Sequence, residues 1–305
     1  MTGSFLSTAG RAFTTVAFAT VLVFVLLHTF ADPATLSIRP SAGPDLIRQR
    51  RELFGLDDPY FVQLARYLWG AIRLDFGNSL ATGLPASEMV LERLPRTLLL
   101  ATSAALIAAF IGTSLGVLVA YYKDSAFDRL LTTLTFALAA IAEFWFGLML
   151  LVLFAVELNL LPTGGYGPKE LILPTATLAL RPTGRIFQIS RSGMVEALAL
   201  PHIQTARSKG LAERDVVLRH ALKNASVASV TLIGHEYVRL LVGATVIVEV
   251  IFSWPGVGTL VVEALRSHDL PVIEASVFVM AIMVATINAA VDALYTVLDP
   301  RIRYQ

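Results

Sequence analysis

Long apolar runs separated by short polar intervals dominate the pattern of this chain. Val16–Phe30 contains His28 as its one ionisable residue, and Leu98–Tyr122 carries no charged residue. Leu130–Val156 has Glu143 alone, and Ala275–Val291 again has no charge. A bilayer's hydrocarbon core accommodates about 20 predominantly apolar helical residues. These runs are apolar all round rather than on one face, which is the signature of a buried or membrane helix and not of an amphipathic soluble one. The pattern therefore predicts an all-α integral membrane protein with about six transmembrane helices, at 12–31, 95–122, 130–157, 171–191, 226–252 and 274–298. The fourth run is apolar from Leu171 to Leu180 and then meets Arg181 and Arg185, and the fifth is interrupted by His235, Glu236 and Arg239.

The intervals have structure of their own. Between the first two spans, Leu46–Phe54 and Tyr60–Leu74 space their apolar residues helically. Asp57, Asp58 and Pro59 suit a helix start, and Gly77-Asn78 suits a break. Residues 1–31 thus read as an N-terminal segment with the first span, 32–94 as a small exterior helical cap, and 95–305 as a core of five spans. Within that core, 196–225 reads as a helical hairpin punctuated by Pro201 and Gly210. Ile203, Ala206 and Gly210 fall near one face of its first half, and Leu211, Val217, Leu218 and Leu222 do so in its second.

Composition and charge add exclusions and an orientation. Charged residues make up 15% of the chain, against about 25% in soluble domains. The chain has no cysteine, which excludes disulfides, thiolate metal sites and cysteine nucleophiles. There is no G-x-x-x-x-G-K-[ST] phosphate loop, H-E-x-x-H or G-x-S-x-G motif. No catalytic, cofactor-binding or metal site is therefore expected in this chain, which is not read as an enzyme. The first apolar run is too long for a signal peptide and lacks a small-residue cleavage site, so it is expected to stay as the first helix. Arg11, Lys123, Arg129, Arg207, Lys209, Arg214, Arg219, Lys223, Arg301 and Arg303 fall on one side of six spans, and short loops on the other side carry Lys169 and Arg266. Positive-inside bias then puts both termini in the cytoplasm of a multi-pass inner-membrane protein.

The hairpin carries a resemblance. Ile203-Gln-Thr-Ala-Arg-Ser-Lys-Gly-Leu211, followed by Arg219-His-Ala-Leu-Lys-Asn224, resembles the coupling loop of ABC importer permeases. Phe54–Pro59, Leu74–Ser79, Glu92–Thr97, Leu171–Pro174, Val248–Gly258 with its Ser-Trp-Pro-Gly core, Asp292–Tyr295 and Asp299–Tyr304 extend the likeness over nearly the whole chain. Together they resemble the first permease of the dipeptide, oligopeptide and nickel importers. That resemblance implies half of a translocation pathway, for peptides or alternatively for nickel or another small solute. It implies a second homologous permease, two ATP-binding subunits or domains, an exterior substrate-binding protein and surrounding lipid, with ATP and magnesium on the partner subunits. It assigns Ile203, Thr205, Ala206, Arg207, Lys209, Gly210 and Leu211 to ATPase coupling, and Trp254, Pro255 and Gly256 to contact with the binding protein. A self-contained secondary transporter would show paired broken helices in two halves, and no such halves are visible.

The chain departs from the family in informative places. Gln204 stands where the loop motif has Glu, and Pro201 and His202 differ from the usual acidic and aromatic residues. Ala228 and Ala142 replace prolines of the fifth and third spans, which predicts less kinked helices. His235, Glu236 and Arg239 replace mostly neutral residues. Charges at membrane depth usually face a bundle interior or a wet cavity. These three, with Arg181, are expected either to line the translocation path or to pair structurally, since Glu236 and Arg239 are three residues apart on one helix face.

Overall fold

The computed structural model describes residues 2–30 and 57–298. The expected helix at Leu46–Phe54, the first residues of the Phe54–Pro59 motif, Arg301, Arg303 and the Asp299–Tyr304 ending lie outside these. The described residues are helical almost throughout. In chain order the helices are α1 (Thr2–Phe30), α2 (Tyr60–Arg73), α3 (Ala86–Tyr121), α4 (Ala126–Ala140), α5 (Glu143–Glu157), α6 (Ile172–Leu198), α7 (Pro201–Ser208), α8 (Glu213–Ile251), α9 (Val257–Ser267) and α10 (Leu270–Leu298).

Each expected span coincides with one of these helices or a pair of them. Among the described residues, Ala86–Tyr121, Glu213–Ile251 and Leu270–Leu294 are long and apolar enough to cross a bilayer by themselves. The pair α4 and α5 makes a fourth if counted as one broken span. The described apolar part of α1 is Phe13–Leu27, and α6 is interrupted by its arginines. The third span corrects an expectation. It is not a straighter helix for lacking proline: α4 and α5 meet at 98°. Ile141 (φ −72°, ψ 134°) and Ala142 (φ −64°, ψ 128°) are extended, and they end one helix before Glu143 begins the next. In α8 there is no break at Ala228. The helix instead widens into π-turns at Val216–Ala221 and Leu240–Ala244.

The chain divides into two units. In the unit formed by Met1–Thr97 and Pro255–Ala290, aromatic rings link the elements. Phe24 of α1 lies 5.3 Å from both Tyr60 and Tyr67 of α2. Tyr67 meets Phe76, which packs on Phe278 of α10 at 5.4 Å. Burial raises the Tyr67 phenol above its ordinary value. Leu74, in the left-handed conformation, ends α2, and the following loop is held by buried Asp269. The Asp269 carboxylate accepts from the Ser79 hydroxyl and from the backbone N–H groups of Leu80 and Ala81. Two sequence motifs meet here as well, because the Thr97 hydroxyl accepts the Val257 N–H at 2.9 Å and so caps α9.

The unit formed by Leu98–Trp254 and Val291–Gln305 is built around α6. Gly112 and Gly116 let α3 approach it closely: a Cβ at Gly112 would lie 2.9 Å from the Thr183 carbonyl, and one at Gly116 would lie 2.7 Å from Ser190 Cβ. Small residues four apart are a common device for bringing membrane helices together. Hydroxyl pairs complete the packing, with Ser103–Thr175 at 3.1 Å joining α3 to α6. Ser190–Ser229 at 2.9 Å joins α6 to α8, and Thr102–Tyr237 at 2.9 Å joins α3 to α8. At the end of α4, buried Asp128 takes both Nε and Nη2 of Arg191 at 2.7 Å. It also accepts from the Asp124 N–H and the Thr132 hydroxyl.

Candidate functional site

The hairpin forms as the punctuation predicts. Pro201 opens α7 at its first turn, where its missing N–H is not needed. Gly210 closes the helix at φ +75°, a conformation that β-carbon-bearing residues rarely adopt. The Leu211 N–H reaches back to the Ala206 carbonyl and the Gly210 N–H to that of Arg207, the paired bonds of a Schellman stop. The chain then turns into α8.

The apolar side of this hairpin is covered by its own molecule. Ile203 and Ala206 are buried with Val216, Ala221 and Ala225 against Ala120 of α3 and Met194 and Ala197 of α6. Val217 and Leu222 pack at the edge of this cluster, whereas Leu211 and Leu218 are exposed. Of the residues expected to couple, Thr205, Arg207, Lys209, Gly210 and Leu211 face outward, and Ile203 and Ala206 face in. Polar bonds tie the two halves of the hairpin together. Arg207 Nη2 meets Glu213 Oε1 at 2.6 Å across the turn, and this hydrogen bond raises the Arg207 pKa further above its ordinary value. Asn224 and His202 bond at 3.2 Å.

The second site is a cluster of charges at mid-helix. Glu236 of α8 is 3% exposed in its side chain and is grasped by Arg185 of α6 and by Arg239 Nε at 2.7 Å. Arg239 Nη1 also lies 3.0 Å from Oε1 of Glu143, the first residue of α5 after the break. Two guanidinium and two carboxylate groups thus link α5, α6 and α8 with no net charge. The cluster is not fully satisfied: Glu143 Oε1 and Arg239 Nη2 are buried without a hydrogen-bond partner. The expected Glu236–Arg239 pair is present. Arg185 and Glu143 were the partners that spacing within one helix could not supply. Their signal was present in the sequence all the same, because single charges in separate apolar runs need one another. His235 is exposed on α8, and Arg181 is exposed on α6, one turn from Arg185.

The exterior motif is mostly buried. Trp254 is 1% exposed and packs on Tyr166 at 5.2 Å, Gly256 is also buried and Pro255 is half-buried. Trp254 and Gly256 thus face inward, and Pro255 is the most accessible of the three residues. The Trp254 ring anchors the chain just after α8, and Tyr166 is the exposed ring of the pair. Glu249 is buried in the last turns of α8. Among the described residues no group of three or more His, Asp and Glu side chains is placed to hold a metal.

This architecture has known relatives. Over 69% of this chain and 96% of its counterpart, the fold matches a chain in inward-facing conformations of the MetNI methionine ABC transporter, with a TM-score of 0.59 at 15% identity. The oligopeptide transport system permease protein AppB of Bacillus subtilis is 37% identical over 298 residues, covering 93% of this chain and 94% of that protein. The glutathione transport system permease protein GsiC of Salmonella paratyphi A is 36% identical over 287 residues, with the same coverage. Residues 112–304 match the model of the binding-protein-dependent transport system inner membrane component. With its all-helical fold and near-full-length relatives, the chain belongs to this family of multi-pass ABC importer permeases.

Proposed function

We propose that this chain is one of two permease subunits of an ATP-driven peptide importer. In this reading a second homologous permease completes the pathway, two cytoplasmic ATP-binding subunits or domains hydrolyse ATP, and an exterior binding protein delivers the peptide. Both termini are cytoplasmic. The observation that carries the reading is the hairpin. Its apolar face is already buried in its own molecule, yet it presents an outward turn, Thr205 to Leu211, at the end of a helix long enough to cross the bilayer. The peptide substrate is supported by relatives named for oligopeptide and glutathione transport that match this chain nearly end to end.

The charge cluster lies beside a second part of the function. From Arg181 onward, the exposed positions of α6 are Arg181, Arg185, Ile189, Ser192 and Glu196, with half-buried Gln188 between them. These positions form one helical stripe, polar but for Ile189. Lipid would penalise such a stripe, whereas a wet path leading to the cytoplasm would not. The α6 stripe, with Glu236, Arg239 and exposed His235 beside it, is the proposed wall of that path.

The test is reconstitution of the chain with a second permease, ATP-binding subunits and a binding protein. Uptake of labelled tripeptide should require ATP and all partners. Gly210→Val should release the ATP-binding subunits on purification. Peptide accumulation by this chain without an ATPase would overturn the reading in favour of a secondary transporter.

A further inference from the structure

We propose that Arg181 and Arg185 form a site within the path that reads a carboxylate on the passing substrate. The inference rests on the peptide reading and names the group that the path recognises. Arg185 sits at the midpoint of the 27-residue α6, and a charged group within a span is costly if it faces lipid. Its side chain is nonetheless 48% exposed while one of its nitrogens holds Glu236. Arg181, one turn away on the same stripe, makes none of the ion pairs among the described residues. The four-membered cluster is electrically neutral, so Arg181 adds an unpaired positive charge beside it.

An exposed guanidinium offers a planar fork of donors matched to a carboxylate. Two of them one turn apart, backed by a buried counter-ion, make a site of adjustable strength. When it is empty, Glu236 neutralises Arg185 and Arg239. A substrate carboxylate entering against Arg181 competes with Glu236 for the free side of Arg185. Glu236 keeps Arg239 throughout, so no buried charge is stranded. The binding is weakened by the resident anion, which suits a group that must be released toward the cytoplasm. The carboxylate comes either from the peptide's C-terminus or from an acidic side chain.

The experiment is ATP-driven uptake by the complete transporter of trialanine as free acid, trialanine amide, and Ala-Glu-Ala amide. It compares wild type with Arg181→Gln and with the doubly neutral Arg185→Gln/Glu236→Gln. The binding protein is the same in all cases, so its own preference cancels in the ratio of acid to amide uptake between variants. The expected result is a fall of about tenfold in that ratio for each variant. Trialanine amide uptake should fall much less than that of the free acid, and copurification of the partners should be unchanged. A parallel fall for Ala-Glu-Ala amide assigns side-chain carboxylates to the site as well, and its absence restricts the site to the C-terminus. An unchanged ratio, an equal loss for acid and amide, or loss of the second permease on purification would overturn the proposal. A wild-type transporter that imports none of these peptides would instead sink the peptide reading on which it depends.

Discussion

At the scale of single residues, two glycines carry different burdens. Gly116 is required for space: its missing Cβ would sit 2.7 Å from Ser190 Cβ. Gly116→Ala should push α3 from α6 and lower stability in detergent by about 1–3 kcal/mol. Gly10→Ala, which meets nothing within 4 Å, should leave the melting temperature in place, and a thermal melt of both variants checks the contrast. Gly210 is required for its dihedral and not for space, since nothing lies within 4 Å of a Cβ built there. Asn tolerates the left-handed conformation better than β-branched residues do. Gly210→Asn should therefore retain much of the ATPase copurification that Gly210→Val loses.

At the scale of elements, the joint between α4 and α5 shows how a helix break can arise without proline. The Ala142 backbone already has a proline-compatible φ of −64°, and Ile141 before it is extended. The Ala142 N–H donates to none of the carbonyls that bond outside helices. Ala142→Pro should thus be neutral or stabilise by about 0.4–1 kcal/mol, measured as a shift in melting temperature. A large loss would show that the Ala142 N–H or the space around its side chain is used in the folded protein. The Asp128–Arg191 clasp between α4 and α6 makes a contrasting case. Lysine cannot reproduce the two parallel bonds, so Arg191→Lys should destabilise. Asp128→Ala should do so more, by about 3 kcal/mol, because it leaves the arginine unmatched. Chemical denaturation of the purified chain distinguishes the two. The exposed Arg207–Glu213 pair contributes less than about 1 kcal/mol. Its breakage by Glu213→Gln should show in coupling assays rather than in stability.

At the scale of the whole molecule, the sequence makes the membrane class and the hairpin legible because both rest on periodicity and punctuation, which are local. Pro201 and Gly210 mark the limits of α7 to within two residues. Contacts between distant segments are not local. Neither the Arg185–Glu236 contact nor the Glu143–Arg239 contact has a spacing rule to reveal it, and the burial of Trp254 depends on Tyr166, which is 88 positions away by the numbering. The resemblance carries the family but not the burial of Trp254, since a motif says which residues recur and not which way they face. The Ala142 expectation failed for a related reason: proline is one cause of a break, and a salt bridge that anchors the next helix's first residue accompanies another.

The unbroken course of α8 has a mechanical consequence. One rod of 39 residues extends about 58 Å at 1.5 Å per residue, with the turn of the hairpin leading into its first residue and the buried tryptophan just beyond its last. The ion pairs of Glu236 and Arg239 grip this rod off-centre, with about 35 Å on the hairpin side and about 22 Å on the other. A lever pivoted there delivers roughly two-thirds of any sideways stroke to its far end, reversed in direction, before the two π-turns absorb part of it. Strokes of a few ångströms at the turn would then open one mouth while closing the other. Spin labels at Leu218 and Val242, which are exposed on opposite sides of the pivot, would move in opposite senses as ATP is bound and hydrolysed.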